Sequence, residues 1–340
     1  MAEGAAAVVK RWVGFIVFLV VVGLIVAGMM LRQEISDHVA GINYEMTPRV
    51  SELAEDLELT DAGRRIFIAT HPTIDGSQHF NDQCAGVDHS EQGHVLGCYT
   101  SDRIHLFDVT DDRVNGIVEI TAAHELLHAA FRRLGEGDQS LLASRLRGAY
   151  EELAPSHPDL KERMSVYEHL SESAFANELH SVLGTEVRDL PAWLEDHYAQ
   201  WFTNRPALID DFETYHTVFN DLQSQAVALQ AEMTSLRADV ERRKSAYGDA
   251  VDAFNADATA YASRIERDDY RDDPNGQQRD ADALQQRRVS LDAELDALQA
   301  DIDRYNALRD DLEALGEVSA ELDEHLDSDL APITTRPNER

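Results

Sequence analysis

A heptad pattern in the last third of the chain restricts the possible fold more than any other feature. Apolar residues recur there in alternating steps of four and three, in a series made of Tyr215, Phe219, Leu222, Ala226, Leu229, Met233, Leu236 and Val240. The same register continues through the polar members Arg243 and Asp257 to Tyr261. Such a repeat leaves a narrow apolar seam that another helix must cover, so it predicts a coiled coil.

A second heptad series follows a break in the first. Its members are Leu284, Arg288, Leu291, Leu295, Leu298, Ile302, Tyr305, Arg309 and Leu312. The intervening Pro274 and Gly276 are helix breakers. We therefore predict an antiparallel coiled-coil hairpin over residues 205–318, with a polar tail over 319–340. A parallel dimer interrupted by a loop is the alternative. Either form would serve spacing, docking to a protein partner or self-association.

An uncharged apolar run occupies residues 12–31. About twenty such residues can cross a bilayer as a helix. Lys10 and Arg11 precede the run, so the positive-inside rule places residues 1–11 in the cytoplasm and the rest of the chain outside. A cleaved signal peptide or a buried core helix is the alternative. We expect a single-pass protein of the cell membrane with an extracytoplasmic domain.

Charge and cysteine content limit the partners and the compartment. Acidic residues outnumber basic ones by 64 to 30, giving a formal net charge of −34. Direct binding of nucleic acid is therefore not expected, because phosphate contacts need a positive surface. Outside the cytoplasm, a disulfide between Cys84 and Cys98 is favoured over two buried thiols. Such a bridge would add about 3 kcal/mol of stability.

The middle of the chain contains a change of pattern. Residues 65–70, 95–100 and 103–109 are rich in apolar and β-branched side chains and predict strands, whereas the chain after Gly116 predicts helices. Strands followed by helices indicate an α+β domain, which we place over residues 32–204.

Two histidines and a glutamate stand at a spacing that favours metal binding. The segment His124-Glu125-Leu126-Leu127-His128 lies in a stretch of strong helical periodicity. Side chains four residues apart share a helix face, so both imidazoles can reach one ion, and neutral imidazole is a good ligand for Zn²⁺. Glu125 could take a proton from a metal-bound water. The alternative is a pair of hydrogen-bonded core histidines.

A third protein ligand is expected on a later helix. Phe175, Glu178, Leu179 and Val182 share one helical face, which places the Glu178 carboxylate in an apolar stripe. A buried carboxylate must be paired or bind a metal, so we predict Glu178 as the ligand. Glu172 also shares a face with Phe175 and is the alternative.

These two segments resemble the gluzincin branch of the zincin metallopeptidases. The resemblance covers about residues 64–205 and depends on His-Glu-x-x-His and on Asn177-Glu178-x-x-Ser181. The chain departs from the family pattern at Val182, because in that family the residue after the Ser is an Asp. The metzincin branch is excluded, because its longer motif with a third histidine does not follow His128.

The resemblance implies a zincin-like catalytic domain that hydrolyses peptide bonds in a peptide or protein substrate. His124, His128 and Glu178 would hold Zn²⁺, and Glu125 would act as general base. Two other functions remain open. The site could stabilise an inactive coiled-coil scaffold of the cell envelope, or the motif could be accidental in an interaction protein.

Two further roles are expected in a site of this kind. The oxyanion needs a hydrogen-bond donor, for which His180, His197, Tyr198 and Tyr167 are candidates by residue type, with a structural role as the alternative for each. The predicted strand over residues 103–109 would be the sheet edge that binds an extended substrate.

Overall fold

The structure, a computed structural model, describes Leu19, Val21, Val22, Gly28 and residues 31–87 and 94–330. The chain forms two compact units. The first unit comprises Met1–Val218 and Asp323–Arg340, and the second unit comprises Phe219–Leu322.

The first unit is built from helices around a small sheet. Its helices are α1 (Arg32–Gly41), α2 (Pro48–Asp56), α3 (Asp61–Ala69), α4 (Ser77–Cys84), α5 (Ile117–Arg132), α6 (Glu136–Leu153), α7 (Pro158–Ser165), α8 (Glu172–Glu186) and α9 (Ala192–Tyr198). The strands are β1 (Thr73–Asp75), β2 (Gly97–Thr100) and β3 (Arg103–Phe107). The sheet order is β1-β3-β2, with β1 parallel and β2 antiparallel to β3.

The predicted α+β class is wrong, because the structure is 74% helical and its sheet has three short strands. The main error lies in residues 65–70, which belong mostly to α3. The Thr60 side chain accepts a hydrogen bond from the Gly63 amide and caps this helix, while Ile66 and Phe67 are buried against the core. Tertiary burial has overridden the strand preference of the apolar residues.

The predicted transmembrane helix is also not supported. Among the residues that the structure describes, no helix has both the length and the apolar character that a bilayer crossing requires. Residues 12–31 lie almost entirely outside that described part, as do residues 1–11.

Helix α5 lies at the centre of the first unit. It packs against α8 and against strands β2 and β3. The predicted disulfide is confirmed: Cys84, at the end of α4, is bonded to Cys98 in β2. The bridge ties β2 to the rest of the unit and therefore holds the strand that lies beside α5.

Two long helices, α10 (Arg205–Glu266) and α11 (Pro274–Leu326), supply the second unit. They run antiparallel there, because ion pairs join Glu232 to Arg304 and Asp257 to Arg287. The polar seam member Arg243 bonds Glu294 and Asp301 on the facing helix, at 2.8 and 2.5 Å. The Asp273 side chain caps α11 by accepting from the Gly276 amide.

The end of the chain departs from a simple polar tail over residues 319–340. Helix α11 continues to Leu326, and the chain from Asp323 onward belongs to the first unit. Residues 331–340 lie outside the described part.

Candidate metal centre

The motif helix α5 is buried along nearly its whole length. His124, Glu125 and His128 are only 7–8% exposed, although all three are polar. A helix that is apolar on almost every side needs partners all around it, and α5 finds them in the sheet and in α8. The histidines therefore face the interior of the first unit.

Helix α8 approaches α5 closely because it carries a glycine at the point of contact. A Cβ atom on Gly184 would stand 2.3 Å from Leu127 Cδ1 and 2.8 Å from Tyr198 Cε1, which no side chain could occupy. The start of α8 is defined by Ser171, whose hydroxyl accepts from the Ala174 amide. These local features place Glu178 opposite the two histidines.

The three predicted ligands converge in space. Glu178 Oε2 lies 3.8 Å from His124 Nε2 and 3.6 Å from His128 Nε2. One ligand atom from each residue falls within 4.8 Å of the other two, so this group could hold a metal ion. A tetrahedral ion with bonds of roughly 2.0–2.1 Å holds its ligand atoms roughly 3.4 Å apart, which is close to the two distances measured from Glu178 Oε2.

The hydrogen bonding of His124 also fits a bound cation. Its Nε2 atom is buried and has no hydrogen-bond partner among the described residues. A buried polar atom without a partner is costly, and coordination to a metal would satisfy it.

The other ring nitrogen of His128 has a protein partner. Its Nδ1 atom lies 3.2 Å from the hydroxyl of Ser181, which is fully buried one turn after Glu178 on α8. This contact holds the ring so that Nε2 points towards Glu178, the usual task of a residue behind a metal ligand. The contact of Ser181 with His128 was not predicted, although the spacing of Ser181 from Glu178 was a signal. Val182, the departure from the gluzincin pattern, is fully buried.

Glu172 does not join this group. It is the first residue of α8 and is exposed to solvent. The two candidate third ligands are thereby distinguished by position, because only Glu178 lies near the histidines.

The side chain of Glu125, which follows His124 on α5, contacts strand β2. A Cβ atom on Gly97 would stand 3.1 Å from both Cγ and Oε1 of Glu125, and 2.4 Å from Thr121 Cγ2. The absence of a side chain at residue 97 therefore lets the backbone of β2 rest directly against the motif helix.

The prediction that residues 103–109 form the edge of the sheet is wrong. β3 pairs with β1 on one side and β2 on the other, so its main-chain groups are already used. In the described part of the chain, the strand at the edge of the sheet beside Glu125 is β2.

The candidate oxyanion donors are largely part of a buried aromatic cluster. His180 Nε2 lies 2.9 Å from His197 Nε2, and the Tyr198 hydroxyl donates to the His180 carbonyl at 2.7 Å. Burial lowers the pKa of His180 well below its usual value, lowers that of His197 to about 4 and raises that of Tyr198. Tyr167 is buried as well. The His180, His197 and Tyr198 contacts indicate a packing role for those three.

Comparisons with protein-family models, with curated proteins and with solved structures found no match to this chain. The geometry of the site is therefore the main indication of function.

Proposed function

We propose that this protein is a zinc metallopeptidase whose active site consists of His124, His128, Glu178 and Glu125. The convergence of two imidazoles and one carboxylate on a single point carries the proposal. Two nitrogen donors and one oxygen donor, completed by a water as the fourth ligand, are typical of catalytic zinc sites.

A zinc ion held there would supply Lewis-acid activation of a bound water. The protein would supply the rest of the reaction. Glu125 would remove the proton from that water as it attacks the peptide carbonyl, and would then return the proton to the departing amine. Ser181 would keep the His128 ring oriented during this cycle.

The substrate would bind as an extended chain along β2. Gly97 brings this edge against Glu125, so a peptide paired with β2 would pass close to the base. Main-chain hydrogen bonds to a sheet edge are a common means of binding peptides of varied sequence.

Metal content tests the site directly. The purified protein should contain near-stoichiometric zinc, and Glu178→Ala should lose most of it. Glu172→Ala is the matched control on the same helix and should retain the metal, because Glu172 is exposed and apart from the group. A folded wild-type protein without any bound zinc would contradict the proposal.

The role of Glu125 needs a second variant. Glu125→Gln should bind zinc normally but hydrolyse peptides roughly 10²–10⁴ times more slowly, which is the usual contribution of a general base. Equal behaviour of Glu125→Gln and wild type, with zinc bound in both, would instead indicate a structural metal in an inactive scaffold.

A further inference from the structure

The end of α11 and the residues after it pack against residues near strand β2 and helix α4 of the first unit. We name residues 323–328 the docking segment. Leu326 and Ser328 are each only 1% exposed, and Asp323 Oδ1 lies 2.7 Å from His94 Nε2. The Asn81 side chain donates to the Ser328 carbonyl at 2.6 Å. His325 adds a contact of 3.4 Å to Asp111. The segment is therefore a packed part of the unit.

The Ser328 hydroxyl bonds a main-chain group of Val95, which lies two residues before β2 begins. It donates to the Val95 carbonyl at 2.8 Å. The next carbonyl, of Leu96, accepts from Phe107 and so faces β3. Because successive residues of an extended chain direct their main-chain groups to opposite sides, the Val95 carbonyl faces away from β3.

Ser328 thus lies on the continuation of the β2 edge at which the substrate is expected. Gly97, which rests against Glu125, directs its main-chain groups to the same side as Val95. The two residues are two positions apart, or roughly 7 Å along an extended strand. The docking segment therefore covers the main chain two residues before Gly97, the residue that contacts Glu125. Tyr99 lies two residues after Gly97, on the opposite side of Glu125 along the strand.

We propose that the docking segment is a stop that limits how far a substrate extends past the scissile bond. This inference rests on the proposed peptidase function. A peptide that pairs antiparallel with β2 places its C-terminal residues on the Val95 side, where Ser328 blocks further pairing. The site accordingly takes the C-terminal ends of peptide chains and releases one or two residues. A chain that continues well beyond the scissile bond meets the docking segment.

The test uses full-length, zinc-loaded protein and peptides that share every residue before the scissile bond. The peptides carry one, two, four or eight residues after that bond. Wild type should cleave the one- and two-residue forms at least roughly tenfold faster than the eight-residue form. The double variant Asn81→Ala, Ser328→Ala removes both hydrogen bonds of the docked serine. It should raise the ratio of long-peptide to short-peptide cleavage roughly three- to tenfold, as expected when a docking equilibrium loses hydrogen bonds.

Two variants keep the result interpretable. Leu326→Ala loosens the same segment at its apolar anchor and should change the ratio in the same direction. Glu324→Gln alters an exposed residue four positions before Ser328. It should leave the ratio of long-peptide to short-peptide cleavage at its wild-type value. Equal cleavage of short and long peptides by the wild type would overturn the stop while leaving the peptidase proposal intact.

A binding measurement separates the two proposals. Zinc-loaded Glu125→Gln should bind labelled one- and two-residue forms more tightly than the eight-residue form in fluorescence polarisation. The same length preference without cleavage by any active-site-intact protein would retain the stop and reject the peptidase. Binding that is absent or independent of length would reject the stop.

Discussion

The two units of this protein use helices in opposite ways. In the first unit, 13 of the 16 residues of α5 are buried, and the chemistry-bearing side chains are among them. In the second unit, which the structure describes over all of residues 219–322, the two much longer helices have only four buried residues: Gly276, Leu298, Leu308 and Leu322. A helix enclosed on all sides can exclude water from a reactive group, whereas a helix paired along one seam cannot.

The difference lies in what the polar residues do. In the first unit, His124 and Glu178 are largely withdrawn from water and face a shared point, where a bound cation would compensate them. In the second unit, Arg243 sits in the seam but remains partly exposed and bonds carboxylates on the facing helix. The first arrangement is suited to binding a cation, whereas the second fixes the register of two paired helices.

Removing the disulfide should give the largest change in stability, and only in the first unit. The double variant Cys84→Ala, Cys98→Ala opens a cross-link with a sequence separation of 14. It should lower the free energy of unfolding of the first unit by about 3 kcal/mol. The three tryptophans of the chain, Trp12, Trp193 and Trp201, all lie outside residues 219–322, so tryptophan fluorescence during denaturation reports on the first unit and not on the second. Faster deuterium exchange throughout residues 219–322 would contradict this separation.

Two glycine-to-alanine changes sharpen the comparison, because both lie within helices. Gly184→Ala forces a Cβ atom against Leu127 and Tyr198 and should lower the stability of the first unit by about 2 kcal/mol. It should also weaken metal binding by displacing α8 from α5. Gly248→Ala meets nothing within 4 Å and should instead raise the stability of the second unit by about 0.5–1 kcal/mol. Urea denaturation followed by fluorescence and circular dichroism, with zinc titration for Gly184→Ala, measures both. Equal effects of the two substitutions would undermine the packing argument.

Acidification should lower the stability of the first unit, by a smaller amount than the substitutions above, through a histidine that the second unit lacks. Burial, with a further contribution from Arg145, lowers the pKa of His197 to about 4, so the unfolded chain takes up its proton first as the pH falls. The contribution of His197 is fully present above pH 6.5 and is lost as the pH falls towards 4. The cost is about 1–2 kcal/mol, roughly half of what the full change in pKa would give, because solvent screens a ring that is partly exposed. The second unit contains no histidine and lacks this dependence.

Denaturation at several pH values in a metal chelator measures this loss without interference from metal release. His197→Gln should flatten the fluorescence-detected dependence. The control His38→Gln alters an exposed histidine and should preserve it. A first unit whose stability is constant from pH 6.5 to pH 4 would show that His197 is protonated at no cost.

Local patterns predicted the elements that depend on near neighbours in the chain. The strands near residues 95–100 and 103–109 correspond to β2 and β3, and the break near Pro274 separates α10 from α11. Residues 65–70 failed because an apolar, β-branched run suits a buried helix face as well as a strand. Strand β1 was missed, since a three-residue strand carries too little periodicity to be recognised.

The sequence by itself determined the spacing of His124, Glu125 and His128, because helical geometry converts a step of four residues into a shared face. It also determined the pair of cysteines and the heptad seam. Only the tertiary structure placed Glu178 and not Glu172 beside the two histidines, made β2 the edge strand beside Glu125, and brought Ser328 to Val95. These relations join residues far apart in the chain, and no local period records the distance between two elements once they pack.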